Sequence, residues 1–132
     1  MTENEKKEFI SAYITTALWL EMDSNENPLE QNYSEKDLTI SANQRIQEDC
    51  TQFLEKASSI IDKAIEDNAV QFGPDFGPYG RAGHDFFLTR NHHGAGYWDG
   101  DWSEPYGDQL TELAHTFGEC NLCVEDNKID FM

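Results

Sequence analysis

Positive charge is scarce in this sequence. Nine lysines and arginines stand against 26 aspartates and glutamates, for a formal net charge of −17 at pH 7. Beyond Arg90 the sole lysine or arginine is Lys128, while the same stretch carries Asp99, Asp101, Glu104, Asp108, Glu112, Glu119, Glu125, Asp126 and Asp130. Proteins that grip nucleic acid neutralise phosphates with cations, and anionic lipid attracts polybasic segments. Direct binding to either is therefore not expected. Basic proteins, cations and metal ions are what such a field attracts. The plainer reading of acidic charge is solubility alone.

Long apolar runs are missing too. None approaches the roughly 20 residues of a membrane-spanning helix, and the charged opening MTENEKKEF lacks the pattern of a secretory signal. Cysteine is limited to Cys50, Cys120 and Cys123. An odd count with no leader predicts reduced thiols and a cytoplasmic location. There is no P-loop, dinucleotide fingerprint, H-E-x-x-H or G-x-S-x-G motif, so no local signature announces nucleotide binding, zinc hydrolysis or a serine nucleophile.

What is present suffices for a folded domain. The 132 residues are 38% hydrophobic and 12% aromatic, enough to build a core without disulfides or a structural metal. Phe9, Ile10, Tyr13, Ile14, Ala17 and Leu18 recur at helical spacing, with Trp19 and Leu20 broadening that face. Ser41 and Gln44 have the form of a capping box. Ile46, Cys50, Phe53, Leu54, Ala57, Ile60, Ile61, Ala64 and Ile65 then predict a helix from about 42 to 67, packed along the first. Ser34 and Asp37 suit an extra capped turn ahead of it.

Residues 72–83, with two Gly-Pro pairs, read as a loop. His84 to Arg90 reads as a strand, Asn91 to Ala95 as a turn, and Gly96-Tyr97-Trp98 as the start of the returning strand. A short helix is expected from about 107 to 117. Strands follow at Cys120–Val124 and Ile129–Phe131, around a tight turn at Asp126-Asn127-Lys128. The expected architecture is α+β in a single domain, 1–132. Two N-terminal helices (about 5–70) pack on a small antiparallel sheet of three to four strands, with one further short helix in the part 84–132.

Several constellations could carry chemistry. His84, Asp85, Arg90, His92, His93, Asp99 and Asp101 crowd one expected hairpin. Of these, His84, Asp85, His93, Asp99 and Asp101 are of types that bind divalent metal or perform general acid–base work. The alternative is a hydrogen-bonded hairpin with Gly94 and Gly96 in its turn. Asp108, Glu112 and His115 share a helix face, but a di-metal bundle needs a second E-x-x-H element. Cys120 and Cys123, three apart in a strand, point to opposite faces, which suits neither zinc nor disulfide exchange.

Nucleic-acid mimicry is a further possibility. Glu48, Glu55 and Asp62 line one helix face, each step rising about 10.5 Å. A duplex carries one charge per roughly 1.7 Å of axis. This helix alone is a poor copy, and the acid-rich C-terminal third would have to complete it. Tyr97, Trp98, Trp102 and Tyr106 lie among acids and glycines, as aromatic anchors with an acidic rim do on surfaces that receive a basic protein. The other reading of Tyr97 and Trp98 is core filling.

Three stretches carry a resemblance: Phe9–Tyr33 (FISAYITTALWLEMDSNENPLEQNY), Ala82–Trp102 (AGHDFFLTRNHHGAGYWDGDW) and Tyr106–Phe131 (YGDQLTELAHTFGECNLCVEDNKIDF). Together they resemble a family of small acidic proteins encoded by bacterial viruses and mobile elements, HDFFLTRN followed by HGAGYWD being the most specific string. The family brings no established activity, so no catalytic or binding residue carries over. Where it has a tyrosine and a Gly-Asp type turn, this chain has Cys123-Val124-Glu125-Asp126. The resemblance implies a virus-derived accessory protein in a bacterial cytoplasm.

Two functions are therefore expected. In the first, Asp99, Asp101, Trp102, Glu104, Asp108, Glu112, Glu125 and Asp126 dock on a basic protein of host or virus and inhibit it, with no cofactor. In the second, the protein is a metal-dependent, nuclease-like hydrolase using His84, Asp85, His93, Asp99 and Asp101.

Overall fold

The computed structural model describes residues 1–132. Four helices, α1 (Glu3–Leu20), α2 (Ile40–Glu66), α3 (Pro78–Arg90) and α4 (Tyr106–His115), precede a hairpin of β1 (Leu122–Glu125) and β2 (Lys128–Phe131). The class is α+β, with a sheet of two antiparallel strands rather than three or four. No helix is long and apolar enough to cross a membrane.

Helix α1 begins ahead of its apolar stripe because Thr2 and Glu5 form a reciprocal capping box, each side chain accepting from the other's backbone N–H. Its buried stripe is Phe9, Ala12, Tyr13, Ile14, Thr16 and Ala17. Trp19 and Leu20, expected to widen that stripe, are 36% and 38% exposed. The residues from Ser34 to Asp37 form a capped 3-10 turn, as their spacing predicts.

Helix α2 buries the predicted face, but its cap is Thr39 instead of Ser41, and the Thr39 hydroxyl accepts from the Ala42 N–H at 3.0 Å. A tertiary contact selects that residue. The Thr39 N–H donates to Ile129 O at 2.9 Å and its hydroxyl donates to Asp130 at 3.1 Å, which ties the helix start to β2.

The largest departure lies between 72 and 98. Pro78–Arg90 is a helix, so neither the full loop 72–83 nor the strand 84–90 forms, and no strand starts at Gly96. Gly77 precedes the helix and Pro78 occupies its first turn, where the missing N–H is no loss and the fixed φ is already helical. Burial explains the misleading pattern downstream. Gly80, Ala82, Gly83 and every residue from Asp85 to Arg90 are buried, and a helix covered on all sides has no apolar periodicity to read.

Helix α3, not α2, is the main partner of α1. The reason is Gly83, where an added Cβ would lie 2.0 Å from the Phe9 carbonyl oxygen. The two backbones touch there, so α3 fills the place beside α1 that the amphipathic pattern assigned to α2. Aromatic rings then join all three helices. Phe53 of α2 stacks on Phe86 of α3 with centroids 4.1 Å apart, and Phe117 meets both rings edge-on.

Arg90 locks this core. Its side chain is fully buried, and it pairs with Asp49 at 2.8 Å. It also donates to the carbonyls of Gly118 (3.0 Å) and Phe117 (3.4 Å) and to the Tyr13 hydroxyl (3.3 Å). One guanidinium thus holds α1, α2, α3 and the segment after α4 together. The hairpin turns at Asp126 and Asn127, with φ of 52° and 61°, the left-handed pair of a tight two-residue turn.

Candidate functional site

Helix geometry, not a hairpin, brings three of the five acid–base candidates together. His84 and Asp85 are neighbours on α3, with Nδ1 2.8 Å from Oδ1. Arg81, one turn earlier, donates to Asp85 at 3.3 Å and also reaches Asp101. The Trp102 indole N–H donates to Asp85 at 2.7 Å. Asp85 is wholly buried, and these donors compensate its lost hydration. The network fastens the loop before α4 to α3.

His93 and Asp99 lie elsewhere. His93 stacks on Phe87 and approaches the buried Glu21 at 3.6 Å. Burial pushes the Glu21 carboxyl up, against the opposing pull of the Leu122 N–H and His93. Asp99 accepts from the backbone N–H groups of Gly96 and Asp101, at 3.2 and 3.3 Å, and so shapes its own loop. No three His, Cys, Asp or Glu side chains converge in a way that would hold a metal ion.

The expected docking residues also divide. Trp102 is 1% exposed and belongs to the core, so it offers a partner no surface. Asp101 is half-buried and engaged by Arg81. Glu104, Asp108 and Glu112 are exposed, and Glu104 accepts from the Asp108 N–H at 3.1 Å. Glu104 and Asp108 flank the start of α4 near the C-terminal end of α2, where the Tyr106 hydroxyl donates to Asp67 and draws that carboxyl down, and Glu112 lies farther back along α2, beside Lys56 and Ile60. Glu125 and Asp126 are exposed on the hairpin, whose Asp130 and Phe131 contact Thr39 and Arg45 near the start of α2. The acids after Arg90 therefore form two groups spaced along a helix about 40 Å long, not one band.

The row Glu48, Glu55 and Asp62 is interrupted as well. Asp62 receives both the N-terminal ammonium and the Tyr79 hydroxyl, each at 2.8 Å. Of the three cysteines, all unpaired, Cys50 and Cys120 are buried and Cys123 is half-buried. Burial raises all three thiols above their ordinary range, the reverse of what disulfide exchange needs.

One arrangement escapes sequence reasoning altogether. Tyr97 is fully buried, donates its hydroxyl to Ala82 O at 2.6 Å, and donates its backbone N–H to Thr89 Oγ1 at 3.0 Å. This anchor needs Gly96, whose φ is 150° and where a Cβ would lie 2.2 Å from Thr89 Oγ1. With Tyr97 turned inward, Trp98 turns outward and is 51% exposed. It lines an open groove of about 350 Å³ with Thr89, His92, Gly94, Thr111 and His115. The rings of His92 and His115 stack there with centroids 4.9 Å apart. Trp98 was visible as a candidate anchor, and His115 as a helix-face residue. Nothing in their spacing pairs His115 with His92, because the two lie 23 residues apart and are brought together only by the tertiary packing of α4 against the 91–98 loop.

Comparison with protein-family models, with curated proteins and with solved structures returned no match.

Proposed function

We propose that this protein docks on a basic protein of the host or of the virus and blocks it, as an accessory protein of a bacterial virus acting in the bacterial cytoplasm. One observation supports this most directly: folding withdraws the arginines from the surface. Arg90 is buried against Asp49, and Arg81 is engaged with Asp85 and Asp101. Arg45 is half-buried against Asp49. The exposed cations are all lysines, Lys7, Lys36, Lys56, Lys63 and Lys128, and Lys63 is paired with Asp67. Each withdrawal takes a carboxylate with it, Asp49, Asp85 or Asp101, so the excess of acid in the net charge of −17 stays on the outer surface, opposed there by lysines alone. Such a field steers cationic partners and repels nucleic acid.

A nucleic-acid-binding protein is the favoured class of target, because its basic cleft already accommodates dense negative charge. The two acidic groups along α2 would meet separate parts of that cleft, which asks less of their spacing than copying a continuous phosphate row.

The test is capture from bacterial lysate at low salt and again at about 0.5 M, where the Debye length drops to a few ångströms. A basic partner retained at low salt and released at high salt is the expected result. Recovery of no basic protein at low salt would remove the proposal.

A further inference from the structure

We infer that the groove between α4 and the 91–98 loop is a receptor for an arginine side chain on a basic partner, with the Trp98 indole as its platform. The inference rests on the docking function proposed above and locates its centre.

The chemistry of the walls selects the occupant. Trp98 is half exposed and lines the groove, and an accessible indole face attracts a cation. Thr111, His92 and His115 line the remainder together with Thr89, whose buried hydroxyl is already taken by the Tyr97 N–H. Hydroxyls and neutral imidazoles each offer an acceptor, and a guanidinium presents donors in a planar fork that also stacks on aromatic faces. The hydroxyl of Thr111 already donates to Gly107 O at 2.7 Å, leaving its lone pairs for an incoming N–H.

Charge points the same way. No lysine or arginine lines the groove. Asp99 follows Trp98 directly, and Asp108, nearly one turn before Thr111, stands exposed on α4. A cation entering the groove therefore meets no lysine or arginine, on a molecule whose net charge is −17. The volume of about 350 Å³ accommodates a guanidinium and its stem, and its open form admits a side chain from a folded surface. A nucleobase could stack on the same indole, but the overall negative charge would repel its phosphates.

The probe is a short blocked peptide of alternating arginine and glycine, titrated into the isotope-labelled full-length protein at low salt and followed by NMR. Shifts should concentrate on Thr89, His92, Gly94, Trp98, Thr111 and His115. Trp98→Ala should lose about 3- to 30-fold in affinity, the range of a cation on an indole face, and Trp98→Phe should lose less. Phe72→Ala, at another exposed aromatic, should change nothing. Because Trp98 is at the surface, its variants keep the fold, which the same spectra report. Binding that spreads over the acidic surface and ignores Trp98→Ala would overturn the groove while leaving acidic docking in place. No binding of the peptide at low salt would overturn both.

Discussion

Replacing Arg90 with methionine keeps most of the side chain's length and apolar stem and removes the guanidinium. Three kinds of partner are then left. The Tyr13 hydroxyl loses a donor inside the core, and the part-buried carbonyls of Gly118 and Phe117 lose theirs at its edge. Asp49 loses its 2.8 Å partner but keeps Arg45 at 3.0 Å. The Phe86 ring loses the cation 5.3 Å from its centroid. Each unsatisfied buried group costs about 1–3 kcal/mol, and breaking one side of a buried ion pair costs about 3–5 kcal/mol. Since Asp49 retains Arg45 and is partly solvated, and the two carbonyls are only part-buried, these costs do not add in full and the broken ion pair sets the scale. We expect a loss of about 3–5 kcal/mol, a large share of the about 5–15 kcal/mol that stabilises a typical domain. Arg90→Lys should cost about 2 kcal/mol, because an ammonium keeps the charge beside Asp49 but cannot reach both carbonyls. Urea denaturation followed by circular dichroism measures both. A cost below about 1 kcal/mol for Arg90→Met would refute the idea that this guanidinium holds the helices together.

Two further outcomes test the same architecture. Gly83→Ala places a methyl against the Phe9 carbonyl oxygen and should destabilise the protein by about 3 kcal/mol or prevent folding, again read by urea denaturation; a neutral effect would mean that α1 and α3 are not in backbone contact. The second concerns Glu21, whose folded carboxyl is raised by burial. The folded state then holds the proton more tightly than the unfolded chain, so this group's contribution is full in acid and is lost as pH rises through its raised value. Glu21→Gln should therefore match or exceed the wild type in stability at neutral pH, with its advantage shrinking as pH falls into the ordinary carboxylate range. A Glu21→Gln penalty that grows with rising pH would contradict the direction of that shift.

Legibility from sequence followed how much of each element meets water. Helices α2 and α4 and the hairpin turn were readable because one side of each is solvated, so their apolar residues alternate with polar ones at a period the eye can find. Ser34 and Asp37 were readable as a cap because the interaction is local. Helix α3 was not readable, because Phe86, Phe87 and Leu88 are buried in succession and imitate a strand. The cap at Thr39 was hidden because the contact that favours it comes from Asp130, 91 residues away.

The candidate site divides on the same line. Composition alone determined the excess of acid, the lack of exposed arginine-rich segments after Arg90, and the absence of nucleotide and zinc motifs. Local spacing placed Glu104, Asp108 and Glu112 on or beside a helix. Only the tertiary structure decided that Trp102 is core while Trp98 is surface, that Asp85 is consumed by Arg81, His84 and Trp102, and that His92 meets His115. The physical reason is that charge is additive along a chain, whereas exposure depends on what packs against a residue, and here that packing is set by the close approach of α3 to α1 at Gly83.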